Sequence, residues 1–323
     1  MQPSIKSSFA EASCLTEALD RYTLDPNPKL LSDWHAFTFE AQRNGVRYIL
    51  RITDDTHRTR DEVEGEIEWM SFVQSKGILV PGVIPANSGE RSELIDAGPS
   101  KFTAVLFEKL DGRPISDPDW NPTLFEAWGS LVGRLHQMTA AFRPSLRRRP
   151  WYESDFLNSA AYIPDTLPAI KGAARELIAT IAARPRNPQS FGMMHADVYQ
   201  DNLFVSQHGL QLFDFDNCEY GFFINDVAIA LYAALWRVQP EARQSFAATF
   251  LKSFWTGYNR EFRLNEAEIR WLPLFLRLRD VLIYTVARKK LDLTNLTPGL
   301  AQLVQERGDR IAAKVPVVDV GAI

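Results

Sequence analysis

Apolar and polar residues alternate through the first third of the chain in a way that predicts a small antiparallel sheet. The alternation runs over residues 35–43, and Asn44-Gly45 then leads directly into a second alternating stretch, 46–53. An Asn-Gly pair between two such stretches is the strongest short-range signal for a β-hairpin. Three later stretches complete the predicted sheet, and they cover residues 80–86, 92–97 and 101–108.

Helical spacing of apolar residues predicts one helix beside this sheet and a series of helices after residue 112. The first covers residues 61–74, and Ser8 with Glu11 forms a capping box for an earlier helix that ends near Tyr22. The later helices are predicted at 121–141, at 227–237 with Asp226 as its cap, after Asn265 with a break at Pro273, and at 299–315. The pattern therefore divides into a sheet-rich first part and a helical remainder.

Composition narrows the class of protein. A chain of 323 residues with 46% hydrophobic content can bury a large core, and this length suggests two lobes. A net charge of -4 and a pI near 5.8 argue against a nucleic-acid partner. Cys14 and Cys218 form no disulfide framework, and we expect neither a leader nor a membrane-spanning segment, because no uninterrupted apolar run approaches the length of a membrane span. We therefore predict a cytoplasmic protein without a membrane partner, whose oligomeric state stays open.

Two clusters of polar residues carry the candidate chemistry. His195-Ala196-Asp197 is followed by Asn202, and Asp214-Phe215-Asp216 closes an apolar stretch twelve positions later. Phosphoryl transfer from ATP requires a carboxylate that orients the attacking hydroxyl and oxygen ligands that hold Mg²⁺. We predict that Asp197 is the catalytic residue and that Asn202 and Asp214 bind Mg²⁺. Asp216 is a further candidate for assisting the metal.

The segment between the two clusters predicts a hairpin. Residues 203–205 and 210–213 are strand-like, and a polar turn that ends at Gly209 separates them. Asn202 would enter the first strand and Asp214 would leave the second, so the hairpin would bring the two ligands close together. Taken singly, a His-x-Asp triplet or an Asp-Phe-Asp turn is more often explained by an ordinary structural role, and only the ordered combination with the hairpin indicates catalysis.

The segment from His195 to Asp226 resembles the catalytic core of the aminoglycoside-phosphotransferase and choline-kinase-like family, which is related to protein kinases. The family pattern is H-G-D-x-x-x-x-N, then an apolar strand that ends in I-D-[WF]-[DE], then an Asp at the start of a helix. The corresponding positions here are His195, Ala196, Asp197, Asn202, Asp214, Asp216 and Asp226. Ala196 replaces the usual Gly, Tyr199 a frequent His, and Asp201 a common Gly, but no charged or ligating role is lost.

The resemblance implies an α+β, protein-kinase-like two-lobed fold. Residues 1–107 would form a nucleotide-binding lobe with a small antiparallel sheet and one main helix. Residues 108–323 would form a larger, mostly helical lobe with the catalytic loop and the acceptor pocket. Glu108, Lys109 and Leu110 would lie at the hinge that contacts the adenine, and Asp226 would brace the catalytic loop, which His195 fixes by hydrogen bonds.

The family also places a basic residue on the predicted second strand, and Arg51 occupies that position. It would contact the nucleotide phosphates, and Glu66 on the following helix would hold it in place. Glu62, one helical turn earlier, is the competing partner, and a solvated arginine at a sheet edge is the alternative interpretation of Arg51. The loop at residues 30–36 contains no glycine, although backbone approach to phosphate usually requires one.

The resemblance implies an ATP- and Mg²⁺-dependent phosphotransferase whose acceptor is a hydroxyl group. Only twelve positions separate Asp214 from Asp226, and no A-P-E sequence lies between them, which favours a small acceptor over a peptide. We expect an amine-bearing metabolite such as an aminoglycoside, choline or a homoserine-like compound. The alternatives are a protein Ser/Thr kinase of the same fold and an inactive nucleotide-binding scaffold. Acidic and aromatic residues available to bind the acceptor are Asp117, Asp119, Trp120, Trp151, Tyr152, Glu153, Asp155, Trp236 and Trp255.

Overall fold

The chain divides into two compact units in a computed structural model. The structure describes all residues except 1–4, 7, 10–12, 99, 147, 155–156 and 322–323. One unit, here called the sheet unit, contains residues 1–113, 142–148 and 205–216. The other, called the helical unit, contains residues 114–141, 149–204 and 217–323. The units therefore interleave along the chain, whereas the sequence predicts a single boundary at residue 107.

Eleven strands and ten α-helices are described within these residue ranges. The strands are β1 Lys29–Ser32, β2 Phe37–Arg43, β3 Val46–Asp54, β4 Val83–Ile84, β5 Glu93–Ala97, β6 Ser100–Glu108, β7 Arg113–Pro114, β8 Phe191–Met194, β9 Leu203–Ser206, β10 Gly209–Leu212 and β11 Glu219–Phe222. The helices are α1 Cys14–Arg21, α2 Arg60–Ser75, α3 Pro122–Thr139, α4 Ser159–Tyr162, α5 Pro168–Ala182, α6 Ile224–Ala234, α7 Arg243–Glu261, α8 Glu266–Ile269, α9 Leu272–Lys290 and α10 Pro298–Ala313.

The sheet unit is built around an antiparallel sheet with the strand order β1-β2-β3-β6-β4, in which β5 also pairs with β6. The predicted β2–β3 hairpin is present, and Asn44 and Gly45 both have positive φ, 54° and 78°. Two successive residues with positive φ form the type I′ turn, whose twist matches that of the paired strands. On β3, Leu50 and Ile52 enter the core that also contains α1, so Arg51 projects to the opposite face.

The fourth strand is much shorter than the sequence suggests. The prediction of a strand over residues 80–86 is wrong in extent, because only Val83–Ile84 pairs with β6. Pro81 and Pro85 flank this pair, and a proline has no N–H group to donate to a ladder.

The helix of the sheet unit begins at a capping box that the sequence analysis did not identify. Thr59 is the N-cap of α2, its side chain accepts a hydrogen bond from the backbone N–H of Glu62, and the Glu62 side chain accepts one from Thr59 N–H. The predicted N-terminal capping box depends on Glu11, which lies outside the described residues. The helix that follows it, α1, begins at Cys14.

In the helical unit, α3 and α7 pack closely because each helix presents a glycine to the other. A Cβ atom on Gly129 would lie 1.9 Å from the backbone oxygen of Phe254, and one on Gly257 would lie 1.8 Å from that of Glu126. Both distances are far below van der Waals contact, so the two helices must separate to admit a methyl group.

We expect Gly257→Ala to lower the free energy of unfolding by about 1–3 kcal/mol or more, because the overpacked helices must move apart. Gly172→Ala is the matched control, since Gly172 lies inside α5 and a Cβ there meets nothing within 4 Å. The same substitution should stabilise at that site by about 0.4–1 kcal/mol. Urea unfolding of the two variants measures both signs, and a Gly257→Ala protein as stable as the wild type would contradict the close packing.

Two helix starts differ from their prediction. Asp226 does not cap a helix, because α6 begins at Ile224 and Asp226 lies in its first turn. Pro273 does not break a helix but lies at the start of α9. Asn265 caps α8 as predicted, with its side chain accepting the N–H of Glu268. Within the described part of the chain, no helix combines the length and apolar character needed to cross a membrane.

Candidate active site

The catalytic loop of the helical unit lies between β8 and β9. His195 is completely buried, and its Nδ1 accepts the backbone N–H of Asp197 at 3.2 Å. This bond fixes the peptide that carries the candidate catalytic carboxylate, as predicted for His195. Because Nδ1 is the acceptor, a neutral His195 carries its proton on Nε2.

Ala196 takes an unusual conformation in this loop. Its φ is 63°, in the left-handed region that costs a residue with a Cβ atom about 1–2 kcal/mol. The family that this segment resembles has glycine at this position, and the left-handed backbone conformation explains why glycine is preferred there. Two hydrogen bonds help to hold the strained turn, since Asp226 accepts the backbone N–H of His195 at 3.2 Å and that of Ala196 at 2.9 Å.

The carboxylate of Asp226 is in turn bound by a buried histidine. His136 on α3 places Nε2 at 3.2 Å from the Asp226 carboxylate, and its Nδ1 lies 2.8 Å from the hydroxyl of Tyr258 on α7. Burial, with the nearby Asp226 charge, raises the pKa of Tyr258 well above its ordinary value, so the hydroxyl stays protonated. His136 is therefore a packed structural residue, and the brace of the catalytic loop extends through α6, α3 and α7.

The carboxylate of Asp197 lies next to two side-chain amides. Its Oδ2 is 3.4 Å from Nδ2 of Asn202 and 3.2 Å from Nδ2 of Asn217. Asn202 also donates from Nδ2 to the backbone oxygen of Asp197 at 2.9 Å. Nδ2 of Asn202 makes both bonds, and its Oδ1 atom is the side-chain oxygen of the kind that a divalent cation accepts. Asn217 is not among the residues predicted from the sequence, and its only sequence signal is its place directly after Asp-Phe-Asp.

Asp214, the second candidate metal ligand, belongs to the sheet unit. It follows β10 by two residues, and β9 begins directly after Asn202, so the predicted hairpin is present. Asp214 is exposed and has a φ of 62°, a second left-handed residue with a Cβ atom. Such strain concentrates at functional sites because the surrounding structure must maintain it.

The predicted ion pair of the sheet unit is present and buried. Arg51 donates from Nη1 and Nη2 to the two carboxylate oxygens of Glu66 at 2.8 and 2.7 Å, in a bidentate arrangement. Glu66 is completely buried and Arg51 is 8% exposed. Burial alone would lower the pKa of Arg51, but the charges of Glu66, Asp216 and Asp214 hold it above its ordinary value.

The carboxylate of Asp216 is bound to a histidine and an arginine of the same unit. Its Oδ2 lies 2.8 Å from Nε2 of His57, and its Oδ1 lies 3.5 Å from Nε of Arg58. Burial opposes the charged form, yet the Arg58 charge and the His57 hydrogen bond hold the pKa of the Asp216 carboxyl well below its usual range. Asp216 is therefore an anion committed to these partners, which weakens the expectation that it assists the metal.

The three residues predicted for the hinge, Glu108, Lys109 and Leu110, line one pocket of the sheet unit. A cavity of about 460 Å³ lies against Glu108, Lys109 and Leu110, and its walls also include Tyr48 and Ile84. This volume is in the range of small-ligand pockets. The Glu108 carboxylate accepts the N–H of Gly82 at 3.1 Å, and Lys109 pairs with Glu40. The side chains of Glu108 and Lys109 are thus engaged by other residues of the protein. The groups suited to bind the planar adenine ring are therefore the backbone groups beyond the end of β6.

The donor set fits a nucleotide and a divalent cation. Nε of Arg51 is buried and has no partner among the described residues, so a phosphate oxygen would satisfy it. In the sheet unit the exposed carboxylate of Asp214 is an oxygen ligand of the kind that Mg²⁺ accepts, and in the helical unit the amide oxygen of Asn202 is another. No cluster of three or more His, Cys, Asp or Glu side chains suited to a metal occurs in the described ranges. A cation held with few protein ligands, alongside phosphate oxygens and water, is typical of ATP-dependent enzymes.

Comparison with known proteins decides the family. The family described as "Phosphotransferase enzyme family" matches this chain over residues 29–264. The chain belongs to this phosphotransferase family. The amicoumacin kinase of Bacillus subtilis (strain 168) is 32% identical over 299 residues, which cover 90% of this chain and 89% of that relative. A homoserine kinase of Bradyrhizobium diazoefficiens is 34% identical over 71% of this chain and 68% of its own length.

A solved structure supports the same assignment at the level of the fold. The structure of amicoumacin kinase hAmiN in complex with AMP-PNP, Ca²⁺ and Ami has a TM-score of 0.94 and 30% sequence identity, and the match covers 98% of both chains. The predicted α+β, kinase-like fold class is therefore confirmed.

This phosphotransferase is an ATP-dependent enzyme that acts on a hydroxyl group of a small molecule, as the sequence predicts. The predicted cofactors, ATP and Mg²⁺, agree with the related amicoumacin kinase structure, which contains AMP-PNP and the divalent cation Ca²⁺. Neither a protein kinase nor an inactive scaffold is supported by the comparisons. The absence of nucleic-acid and membrane partners and the cytoplasmic location stay predictions.

Proposed function

We propose that this protein transfers the γ-phosphoryl group of ATP to a hydroxyl of amicoumacin or of a closely similar small molecule. The similarity to amicoumacin kinases carries the proposal, because it extends over 90% of the chain in sequence and 98% in structure. Within a family of kinases the parts that handle ATP are shared, whereas the parts that hold the acceptor vary with the substrate. A match that includes the helical unit therefore supports a shared acceptor class.

The reaction assigns a role to each predicted site residue. The acceptor oxygen attacks the γ-phosphorus, the bond to the β–γ bridging oxygen breaks, and ADP leaves. Asp197 orients the hydroxyl and accepts its proton, and Asn217 with Asn202 holds the carboxylate in place. Asn202 and Asp214 supply the metal ligands, and Mg²⁺ supplies neutralisation of the charge on the phosphate oxygens.

The nucleotide contacts come from the sheet unit. Arg51, held by Glu66, meets the phosphates that are not transferred, and the unpartnered Nε supports this role. The backbone at Glu108, Lys109 and Leu110 binds the adenine in the 460 Å³ pocket.

An exposed aromatic side chain beside the catalytic loop suits a contact with the acceptor. Trp236 is 49% exposed, and its ring centroid lies 6.2 Å from that of Tyr199 in an edge-to-face arrangement. The backbone N–H of Tyr199 donates to the backbone oxygen of Asp197 at 2.9 Å, so the Tyr199 ring belongs to the loop that carries the proposed catalytic residue, and Trp236 contacts that ring. Among the aromatic residues available for the acceptor, Trp151 is only 3% exposed and belongs to the core.

We expect Trp236→Leu to raise the KM for the acceptor about threefold to tenfold, because an aromatic contact is worth about 0.5–1.5 kcal/mol. The KM for ATP and the melting temperature should stay near wild type, since nearly half of this side chain faces solvent. Trp236→Phe is the conservative control and should keep most of the affinity. Steady-state kinetics with each substrate varied in turn measures the effect, and an unchanged acceptor KM would remove Trp236 from the acceptor site.

Homoserine is the second candidate acceptor. The homoserine kinase of Bradyrhizobium diazoefficiens is slightly more identical than the amicoumacin kinase, 34% against 32%, but over 71% of the chain instead of 90%. The shorter match favours the amicoumacin class and keeps homoserine in the test.

The acceptor is tested with purified protein, ATP and Mg²⁺ against amicoumacin, homoserine, amino alcohols and aminoglycosides. ADP release gives the rate, and mass spectrometry of the product locates the phosphate. We expect the highest kcat/KM with amicoumacin, and formation of the phosphorylated product at least about 100-fold slower with the Asp197→Asn protein. Preference for homoserine would replace the proposed acceptor, and phosphorylation of an aminoglycoside or amino alcohol alone would also contradict it.

A further inference from the structure

Two histidines of the sheet unit form a stack that ends on the Asp216 carboxylate. Nε2 of His57 lies 2.8 Å from Oδ2 of Asp216. The ring of His35 stacks on the ring of His57, with centroids 5.1 Å apart and planes inclined by 25°. His35 lies between β1 and β2, in the loop without glycine, and His57 lies between β3 and α2. The glycine-free loop that contains His35 and the turn that carries Asp214 are thus connected through side chains.

The main chain at Asp216 is fixed as firmly as its carboxylate. Nε of Arg58 donates to the backbone oxygen of Asp216 at 3.2 Å. Arg148, which is 3% exposed, donates to the same oxygen and to the backbone oxygen of Glu62 at 2.7 Å. Asp216 is therefore anchored to α2 and to the segment that precedes it, from both its side chain and its peptide.

The anchoring of Asp216 bears on the conformation of Asp214, which lies two residues earlier in the chain. Asp214 has a φ of 62° and is exposed, so its conformation must be maintained from outside the residue. The intervening Phe215 is 1% exposed, so the turn from Asp214 to Asp216 is held by a buried side chain as well as by the contacts of Asp216. Residues that hold a metal ligand in this indirect way typically change metal affinity or activity by about 10–100-fold when they are replaced.

We propose that His57 is a positioning residue that holds Asp216, and through it the metal-binding conformation of Asp214, while His35 joins the glycine-free loop to the same stack. The inference rests on the proposed role of Asp214 as a metal ligand and is independent of the acceptor. It gives the β1–β2 loop a side-chain connection to the metal site where related folds rely on glycine backbone.

Calorimetric titration with ATP, in the presence of Mg²⁺ and in its absence, tests the role of His57 without any acceptor. His57→Ala should weaken Mg²⁺-dependent ATP binding by about 10-fold or more and leave metal-free ATP binding unchanged, because only the conformation of Asp214 is altered. His57→Gln retains an N–H donor for Asp216 and should restore most of the affinity. His208→Ala, in the exposed β9–β10 turn, is the matched histidine control and should match wild type.

The stack itself is tested by a double-mutant cycle. His35→Ala should weaken Mg²⁺-dependent binding by less than His57→Ala, and the double variant should bind like His57→Ala alone, because His35 acts through His57. Additive losses would overturn the role of His35. Equal loss of ATP binding with and without Mg²⁺, or no loss in His57→Ala, would overturn the role of His57. Should His57→Ala fail to fold, Asp216→Asn supplies the same comparison, and an identical fall of both affinities in that variant contradicts the proposal.

Discussion

Asp197→Asn should lower kcat by about 10²–10⁴-fold, which is the contribution of a group that accepts or orients a proton. The fold and the ATP affinity should stay near wild type for a structural reason. Oδ2 of Asp197 accepts hydrogen bonds from the amides of Asn202 and Asn217, and the remaining oxygen of an asparagine can accept the same bonds. The variant therefore removes the charge and the proton acceptor but keeps the local geometry. Single-turnover kinetics with calorimetric ATP binding separates the two effects.

Asp201→Asn is the matched control, since Asp201 is an exposed carboxylate in the same loop and should tolerate the change. Asp214→Ala should give the opposite profile. Its Mg²⁺-dependent affinity for ATP should fall, and binding measurements without turnover should already show this loss. If Asp197→Asn retained kcat within about threefold, the assignment of the proton acceptor would be wrong. If both variants lost ATP binding equally, Asp197 would be a structural residue.

Local sequence signals predicted those parts of the fold that depend on neighbouring residues. The β2–β3 hairpin follows from Asn44-Gly45, whose backbone takes the positive φ values that this pair favours. The fourth strand was overestimated because the prolines at 81 and 85 limit the ladder to Val83–Ile84, although the stretch is apolar. Asp226 was mistaken for a cap because its partners are the N–H groups of a distant loop, which no local pattern shows.

The choice between two glutamates shows how far a sequence signal extends. Glu62 and Glu66 lie one turn apart on the same helix, and spacing alone admits either as the partner of Arg51. The structure selects Glu66, because the Glu62 side chain is used in the capping box with Thr59. Had that capping box been recognised in the sequence, Glu62 would have been excluded on local grounds.

Several site residues lay beyond sequence reasoning. His57 meets Asp216 across 159 positions, and Arg148 meets the same residue across 68. Neither residue belongs to a motif or to a periodic pattern, so only the folded chain brings them together. Asn217 is close to its partner Asp197 in sequence, at 20 positions, but asparagine after a turn is ordinarily explained by turn chemistry.

Arg51→Met should cost about 3–5 kcal/mol of stability, because it leaves the fully buried carboxylate of Glu66 without its partner. It should also weaken ATP binding by about 10-fold or more, since a charged donor to the phosphates is lost. Arg47→Met is the control for stability. Arg47 lies on the same strand, but its side chain is exposed and its ion pair with Glu40 is long, at 3.9 Å. Its cost should stay within about 1 kcal/mol.

The double variant Arg51→Met/Glu66→Leu separates stability from nucleotide binding. A buried ion pair replaced by apolar side chains of similar volume is often as stable as the original, so the unfolding free energy should return to within about 1 kcal/mol of wild type. ATP affinity should remain as weak as in Arg51→Met, because no cation has been restored. Recovery of ATP binding together with stability would show that Arg51 supports the sheet unit but does not contact phosphate. A single Arg51→Met variant as stable as wild type would contradict the buried pair itself.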